Sequence, residues 1–313
     1  MSVAPESSTA LRPLSIGELL DRAVTLFVRN FWLFCGLSAI LYVPLTMTQA
    51  LMGDFWLWYA GTLGKIFSHP GKPPDIGRDA AMLERVNAIA GLELLIWIVA
   101  APLAAAALAH AASELAEGRH PSFRESLRFG VRHWPGMWLL LIVGGVMLGA
   151  VFFAGYLGLV LLALLAALIL HSVAVGVVLG VVVLTAWIAL LLIASVAVGV
   201  GFVTFIAEPV NALRAFAVGI ERVINRASLW RSLLIGLLYA AVAAGFSMVA
   251  YGAGFGLLFT LHTGIPMIVI AAIASVVQFG FSLLIIVLYY YDLRARREGT
   301  DLAALATQVA ASH

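Results

Sequence analysis

The sequence contains few charged residues and a single cysteine. Asp, Glu, Lys and Arg make up 11% of its 313 residues, against about 25% in ordinary soluble proteins. The formal net charge is only +2, so the chain lacks the basic excess of nucleic-acid-binding proteins and nucleic acid is not an expected partner. The lone cysteine, Cys35, excludes a disulfide bond within the chain.

Motifs of enzyme active sites are also missing. The sequence has no nucleophile elbow, no Walker loop, no His-Glu-x-x-His motif and no Cys-x-x-Cys motif. We therefore expect a protein without enzymatic activity, without a cofactor and without a metal site. An intramembrane lipid enzyme is the least favoured alternative, because no paired base and nucleophile is visible.

Apolar residues are abundant instead. They make up 63% of the chain, and the mean hydropathy is +1.06. A single globular core could not bury this much apolar surface, so the composition predicts an all-α integral membrane protein. A helix needs about 20 apolar residues to cross a hydrocarbon core about 30 Å thick. The predicted spans are residues 31–52, 86–115, 134–170, 173–207, 229–261 and 266–291.

The number of spans depends on the long uncharged stretch from 134 to 207. We interpret it as two helices with a turn at His171 and Ser172, and a division into three helices would give seven spans. With six spans, fourteen arginines lie on the side of both termini, and four basic residues lie opposite. The positive-inside rule then favours six spans and places both termini in the cytoplasm.

A short amphipathic segment precedes the first, third and fifth spans. Each segment has a proline, then a helix-capping residue (Ser15, Ser122 or Asn211), and leads to a tryptophan. Ser15 and Ser122 also have a Glu three residues later, which is the pattern of a capping box. In all three segments the apolar residues recur with the period of a helix, which is typical of helices lying in the membrane interface. This shared order predicts three repeats, each an interfacial helix followed by a helical hairpin.

These features predict the organisation of the whole chain. Three repeats lie between two cytoplasmic tails, and the first repeat carries a Gly- and Pro-rich outer loop. The expected divisions are a tail at 1–13, repeat 1 at 14–115 with its outer loop at 53–85, repeat 2 at 116–207, repeat 3 at 208–291 and a tail at 292–313.

Both ends of the chain carry recognisable motifs. They are LRPLSIGELLDRA at residues 11–23 and YYDLR at residues 290–294. Both motifs resemble bacterial multi-pass proteins related to the membrane domain of glycerophosphoryl diester phosphodiesterases. The resemblance implies a bacterial inner-membrane location. In fused members of that family, catalysis belongs to a separate soluble barrel with a divalent metal. We expect no such barrel here, because no polar stretch is long enough.

Few ionisable residues lie within the predicted spans. Glu93 is the clearest of them, and such residues are candidates for a proton or cation site. Its position near the outer end of the second span favours the alternative, a Glu that bonds to a neighbouring helix or reaches toward water. His110, Glu114, Glu117 and His120 have the spacing of a helical stripe, but Gly118 and Pro121 predict that the helix ends before His120. We therefore expect a solvated helix end there and not a metal site.

The fourteen arginines on the side of both termini are the last feature that points to a function. Arginine binds phosphate through two parallel hydrogen bonds, and basic residues near an anionic leaflet contribute about 1 kcal/mol each. The alternative explanation is that arginines collect on this side only because the positive-inside rule sets the orientation of the spans. The candidate head-group contacts are Arg22, Arg29, Arg124, Arg128, Arg132, Arg222, Arg226 and Arg231.

Two functions therefore stay open for this sequence. The first is a scaffold or accessory factor that binds anionic phospholipid, or a membrane-protein partner, at the cytoplasmic leaflet. The second is a small transporter or channel that uses Glu93.

Overall fold

The computed structural model describes residues 14–51, 80–165 and 173–311, together with residues 58, 61, 62 and 68. Within this part of the chain there are eight helices and no strand. They are α1 (Ile16–Arg29), α2 (Phe31–Ala50), α3 (Ala80–Ala116), α4 (Phe123–Leu165), α5 (Val173–Ala207), α6 (Ala212–Ile224), α7 (Leu229–Leu261) and α8 (Ile265–Ala311).

Six of these helices, α2, α3, α4, α5, α7 and α8, are long and apolar enough to cross a membrane. This confirms the predicted fold class. The predicted tail at 1–13, most of the predicted outer loop and the turn at His171 and Ser172 lie outside the described residues. Two predicted boundaries differ from the structure. Helix α3 begins at Ala80, inside the predicted loop, and α8 continues to Ala311, through most of the predicted C-terminal tail.

The ends of α3 and α5, the start of α4, and helices α1 and α6 lie at one end of the bundle. We call this end the arginine side and the opposite end the turn side. Near the arginine side, apolar residues of α3, α5 and α8 form one buried cluster, to which α1 adds Leu19, Ala23 and Phe27. None of the residues in the most apolar stretch of α4 is buried inside the protein, whereas 44% of those in the most apolar stretch of α3 are buried. Helix α4 therefore lies at the periphery, where a membrane helix faces lipid.

The predicted caps are present in the structure. Ser15 Oγ accepts a hydrogen bond from the Glu18 amide, and the Glu18 carboxylate accepts one from the Ser15 amide, so the first capping box is complete. Ser122 Oγ accepts from the amide of Glu125 at 3.2 Å. Asn211 Oδ1 accepts from the amide of Arg214 at 2.9 Å. The sequence therefore located the starts of all three amphipathic segments.

The second amphipathic segment is not a separate helix, contrary to prediction. Helix α4 runs without interruption from Phe123 through Pro135 into its span. Asparagine ends the other two segments: Asn30 follows α1 with φ −118°, and Asn225 follows α6 in an extended conformation. The second segment has no Asn where it meets its span, and Pro135 and Gly136 at the start of the span do not interrupt the helix.

Close packing of the amphipathic segments requires glycine. A Cβ on Gly130 of α4 would lie 2.8 Å from the carbonyl oxygen of Leu103 in α3. A Cβ on Gly219 of α6 would lie 2.6 Å from the amide nitrogen of Gly201 in α5. Both glycines therefore allow backbone-to-backbone contact with a neighbouring span.

Candidate functional site

Four consecutive residues of α8, Tyr289, Tyr290, Tyr291 and Asp292, are buried on the arginine side. Successive residues of a helix point about 100° apart, so these four side chains point in four directions. Each one reaches a different segment of the chain. We call these four residues and their polar partners the tyrosine cluster.

The first two tyrosines reach α7 and the end of α5. The hydroxyls of Tyr289 and Ser232 are 2.7 Å apart. Tyr290 donates to Glu208 Oε1 at 2.6 Å, and Arg222 of α6 forms an ion pair with the same oxygen at 2.7 Å. The guanidinium of Arg222 also lies 5.3 Å from the centroid of the Tyr290 ring. Arg222 is therefore held by a carboxylate and an aromatic face together.

The third tyrosine reaches the end of α3. Tyr291 donates to Glu117 Oε1 at 2.6 Å. Glu117 also pairs with Arg119 at 2.6 Å, at the solvent-exposed edge of the cluster. Tyr290 and Tyr291 therefore connect α8 to the ends of the second and fourth spans.

Asp292 is the most buried charged group of the cluster. It pairs with Arg231 at 2.9 Å and with Arg296 at 3.0 Å, while its own side chain is 0% exposed. Its Oδ1 accepts a hydrogen bond from the amide of Leu14 at 2.7 Å, and both arginines donate to the Leu14 carbonyl oxygen. The backbone that leads into α1 is therefore fixed to α7 and α8 by charged side chains.

The electrostatics of Glu208 follow from these contacts. Burial acts to raise the pKa of Glu208, but hydrogen bonds from Tyr290 and Arg222 outweigh it, and the pKa lies below its ordinary value of 4.5. Glu208 is therefore ionised at neutral pH. The tyrosine cluster holds ionised groups in pairs and connects chain segments, which is a structural role.

The eight candidate arginines fall into two groups. Arg22 donates to the carbonyl oxygen of Ala116 at 2.9 Å, and Arg222 and Arg231 belong to the tyrosine cluster. These three guanidiniums hold parts of the bundle together. The other five are exposed, and the described residues provide no hydrogen bond or ion pair for their side chains. They are Arg29, Arg124, Arg128, Arg132 and Arg226.

Three of the exposed arginines share one face of α4. Arg124, Arg128 and Arg132 are spaced four residues apart, and this spacing places them in a row about 12 Å long. We call them the arginine row. Phe123 and Val131 on the same turns are 44% and 60% exposed. Positive charge and exposed apolar side chains therefore occur together on these turns.

The two other amphipathic segments repeat this combination. Arg29 precedes Trp32, which is 84% exposed, and Arg226 precedes Trp230, which is 68% exposed. Exposed tryptophan beside arginine is typical of the zone where a membrane meets water.

Glu93 lies in α3 far from the arginine side. It precedes Ala116 by 23 positions, which is about 35 Å along the helix. Glu93 is half-buried, and its neighbours Leu92, Leu94 and Leu95 are exposed. The role of Glu93 as a proton or cation site stays a prediction.

The histidine and glutamate side chains near the end of α3 contact other side chains of the protein. Arg119 pairs with both Glu114 and Glu117, and His110 stacks on Phe129 of α4 with ring centroids 4.0 Å apart. Among the described residues, no group of three or more His, Cys, Asp or Glu is placed to hold a metal ion.

Two tryptophans of α4 make hydrogen bonds that the sequence did not predict. Trp138 Nε1 donates to the carbonyl oxygen of Ile98 at 2.7 Å, and Trp134 Nε1 donates to that of Val99 at 2.9 Å. Pro102 has no N–H for the Ile98 carbonyl four residues earlier. A proline within a span could have signalled a carbonyl oxygen that needs an outside donor. The sequence does not show which helix supplies it.

No protein-family model, curated protein or solved structure matches this chain. The relation to the membrane domain of glycerophosphoryl diester phosphodiesterases stays a prediction from the two end motifs. Function must therefore be inferred from the arrangement of residues in the structure.

Proposed function

We propose that this protein is a non-enzymatic membrane module that binds anionic phospholipid on its arginine side. The arginine side would face the cytoplasm of a bacterium, as the positive-inside rule predicts. The exposed arginine row carries this proposal, because its guanidiniums are directed away from the bundle beside exposed apolar side chains. The protein would act as a scaffold or accessory factor in the membrane.

Arginine is suited to this ligand. A guanidinium donates two parallel hydrogen bonds to the oxygens of a phosphate group, and apolar neighbours contact the acyl chains next to it. Arg29 with Trp32 and Arg226 with Trp230 offer the same chemistry on the other two segments. We include the threefold repeat in the proposal, supported by the equivalent caps at Ser15, Ser122 and Asn211.

Competition between two lipids tests the proposal. The purified full-length protein in a non-ionic detergent receives equimolar phosphatidylglycerol and phosphatidylcholine at pH 7.5. Native mass spectrometry then measures the ratio of the two 1:1 complexes. We expect phosphatidylglycerol to predominate. A variant with Arg124→Gln, Arg128→Gln and Arg132→Gln should lose most of this preference, since each charge contributes about 1 kcal/mol, or about fivefold.

The matched control is Arg85→Gln, because Arg85 is exposed on α3 toward the turn side. It should leave the ratio unchanged. Equal binding of both lipids by the unaltered protein would overturn the proposal. Mass spectrometry of the protein extracted with its own membrane adds a second outcome: a stoichiometric protein partner without bound lipid would identify a protein-binding scaffold instead.

A further inference from the structure

Of the three amphipathic segments, the second continues into its span without a break. Helix α4 runs from Phe123 to Leu165, so its first turns and its membrane span belong to one helix. The segments before α2 and α7 end at Asn30 and Asn225 instead. The arginine row is therefore fixed relative to the axis of a membrane span.

This placement puts the three arginines at three depths. Arg124, Arg128 and Arg132 follow one another at intervals of four residues, or about 6 Å along the helix axis. Because α4 crosses the membrane, Arg132 lies nearest the span and Arg124 lies furthest out on the arginine side. A single phosphate group would contact only part of a row about 12 Å long.

An apolar stripe extends the row into the membrane. Leu139, Val146 and Phe153 follow Arg132 at intervals of seven residues, and all three are exposed. Seven residues are close to two helical turns, so these side chains share one face of α4 with Arg132. An acyl chain can therefore lie along the same face of α4 on which its head group meets the arginines.

The charge of these turns exceeds that of a simple phospholipid. Glu125 is the one acidic residue among residues 123–132, and it is exposed. Three arginines and one glutamate leave two net positive charges. A phosphodiester carries one negative charge, whereas a terminal phosphate adds about 1.5 to 2 more at neutral pH. A head group with both groups balances the charge of the row, and a phosphodiester alone does not.

We propose that the arginine row binds phospholipids whose head group carries a second, terminal phosphate beyond the phosphodiester. The inference rests on the proposed function and specifies the ligand of the same site. Arg132 binds the phosphodiester next to the acyl chains, and Arg124 binds the terminal phosphate, which extends away from the membrane. Arg128 lies between them and reaches either group. Each guanidinium donates two parallel hydrogen bonds to phosphate oxygens.

Competition between two lipids that differ by one phosphate tests this inference. The full-length protein in a non-ionic detergent at pH 7.5 receives equimolar phosphatidylglycerol and phosphatidylglycerol phosphate with the same acyl chains. Native mass spectrometry measures the ratio of the two 1:1 complexes. We expect phosphatidylglycerol phosphate to predominate about fivefold, which is the factor for one more arginine near an anionic group. A ratio near one would overturn the inference.

Two variants that remove the same charge distinguish this arrangement from general attraction to a basic surface. Arg124→Gln removes the partner of the terminal phosphate, so the ratio should fall about fivefold, toward one. Arg132→Gln removes the partner of the phosphodiester, which both lipids contain, so it should weaken both complexes and change their ratio less. An equal fall of the ratio in the two variants would overturn the inference. Both arginines are exposed, so both variants should keep the melting temperature of the unaltered protein.

Two further competitors identify the source and the arrangement of the phosphates. Glycerol phosphate carries a terminal phosphate without acyl chains, and it should not displace the lipid at equal concentration. Displacement would overturn the assignment to a lipid. Cardiolipin carries two phosphodiesters side by side at one depth, and it should bind less than phosphatidylglycerol phosphate. Predominance of cardiolipin would overturn the arrangement along the helix axis.

Failure of this inference is distinguishable from failure of the proposed function. If phosphatidylglycerol is not preferred over phosphatidylcholine, the proposed function itself fails. A preference for phosphatidylglycerol without any gain from the second phosphate refutes only the inference. Arg85→Gln, which removes an exposed charge of α3 toward the turn side, should leave all of these ratios unchanged.

Discussion

Trp138 of α4 donates a hydrogen bond to the carbonyl oxygen of Ile98 in α3, with 2.7 Å between the two atoms. Pro102 leaves this carbonyl without a partner in its own helix. In a lipid environment no water is present to satisfy such a group, and an unpaired one costs several kcal/mol. The indole therefore compensates for a defect in the neighbouring helix.

This contact predicts the result of a double-mutant cycle. Trp138→Phe should lower the free energy of unfolding by about 1–3 kcal/mol, because it leaves the Ile98 carbonyl unpaired. In a Pro102→Ala background, the new alanine supplies the missing amide and the same change should cost less. Unfolding in mixed micelles measures both values. Equal costs in the two backgrounds would show that the carbonyl is not the reason for the effect.

The buried carboxylate of the tyrosine cluster predicts a large loss of stability. Asp292→Ala removes the partner of Arg231, whose side chain is 21% exposed. Removing one partner of a largely buried ion pair leaves a charge uncompensated, so we expect a loss of about 3 kcal/mol. Thermal unfolding can be followed by labelling Cys35, the half-buried single thiol. Adding Arg231→Met should recover part of the loss, and an additive loss would contradict this explanation.

Substitution of glycine by alanine should change the stability of the protein in different directions at two positions. Gly219→Ala places a methyl group 2.6 Å from the backbone nitrogen of Gly201, which cannot move away as a flexible side chain would. We expect a loss of about 1–3 kcal/mol from overpacking. At Gly145 of α4 no atom lies within 4 Å of the new methyl group. Gly145→Ala should therefore be neutral or slightly stabilising, through helix propensity. Thermal unfolding of both variants measures the two signs.

Acid should weaken the contact between α5, α6 and α8. The pKa of Glu208 is lower in the folded protein than its ordinary value of 4.5. Its contribution to stability is therefore complete above about pH 4.5 and is lost as the pH falls through the lower folded value. Between pH 5 and pH 3, the melting temperature of the unaltered protein should fall by more than that of the Glu208→Gln variant. Parallel melting curves for the two proteins would exclude this contribution.

The sequence predicted the spans and the caps because both depend on local patterns. Six apolar runs and the capping residues Ser15 and Asn211 can be found without knowing any tertiary contact. The continuity of α4 was not predicted, although a signal was present. Asparagine follows the other two segments, and its absence before Trp134 could have indicated an unbroken helix.

The partners of the charged residues could not be predicted in this way. Arg22 and Ala116 are 94 positions apart, and Tyr291 and Glu117 are 174 positions apart. Composition treats all arginines alike, so it could not separate those that hold the bundle together from those that are exposed. The motif at residues 290–294 was recognised by resemblance, but its contacts with three distant segments depend on the packing of the whole bundle.

The tyrosine cluster also has a consequence for biogenesis. Glu117, Glu208 and Ser232 are synthesised long before Tyr289, Tyr290 and Tyr291, so their hydrogen bonds to α8 cannot form until the last span has left the ribosome. The amide of Leu14, almost the first described residue, must likewise wait for Asp292. The six spans can insert in order, but the contacts that connect them are completed only after α8 has been synthesised.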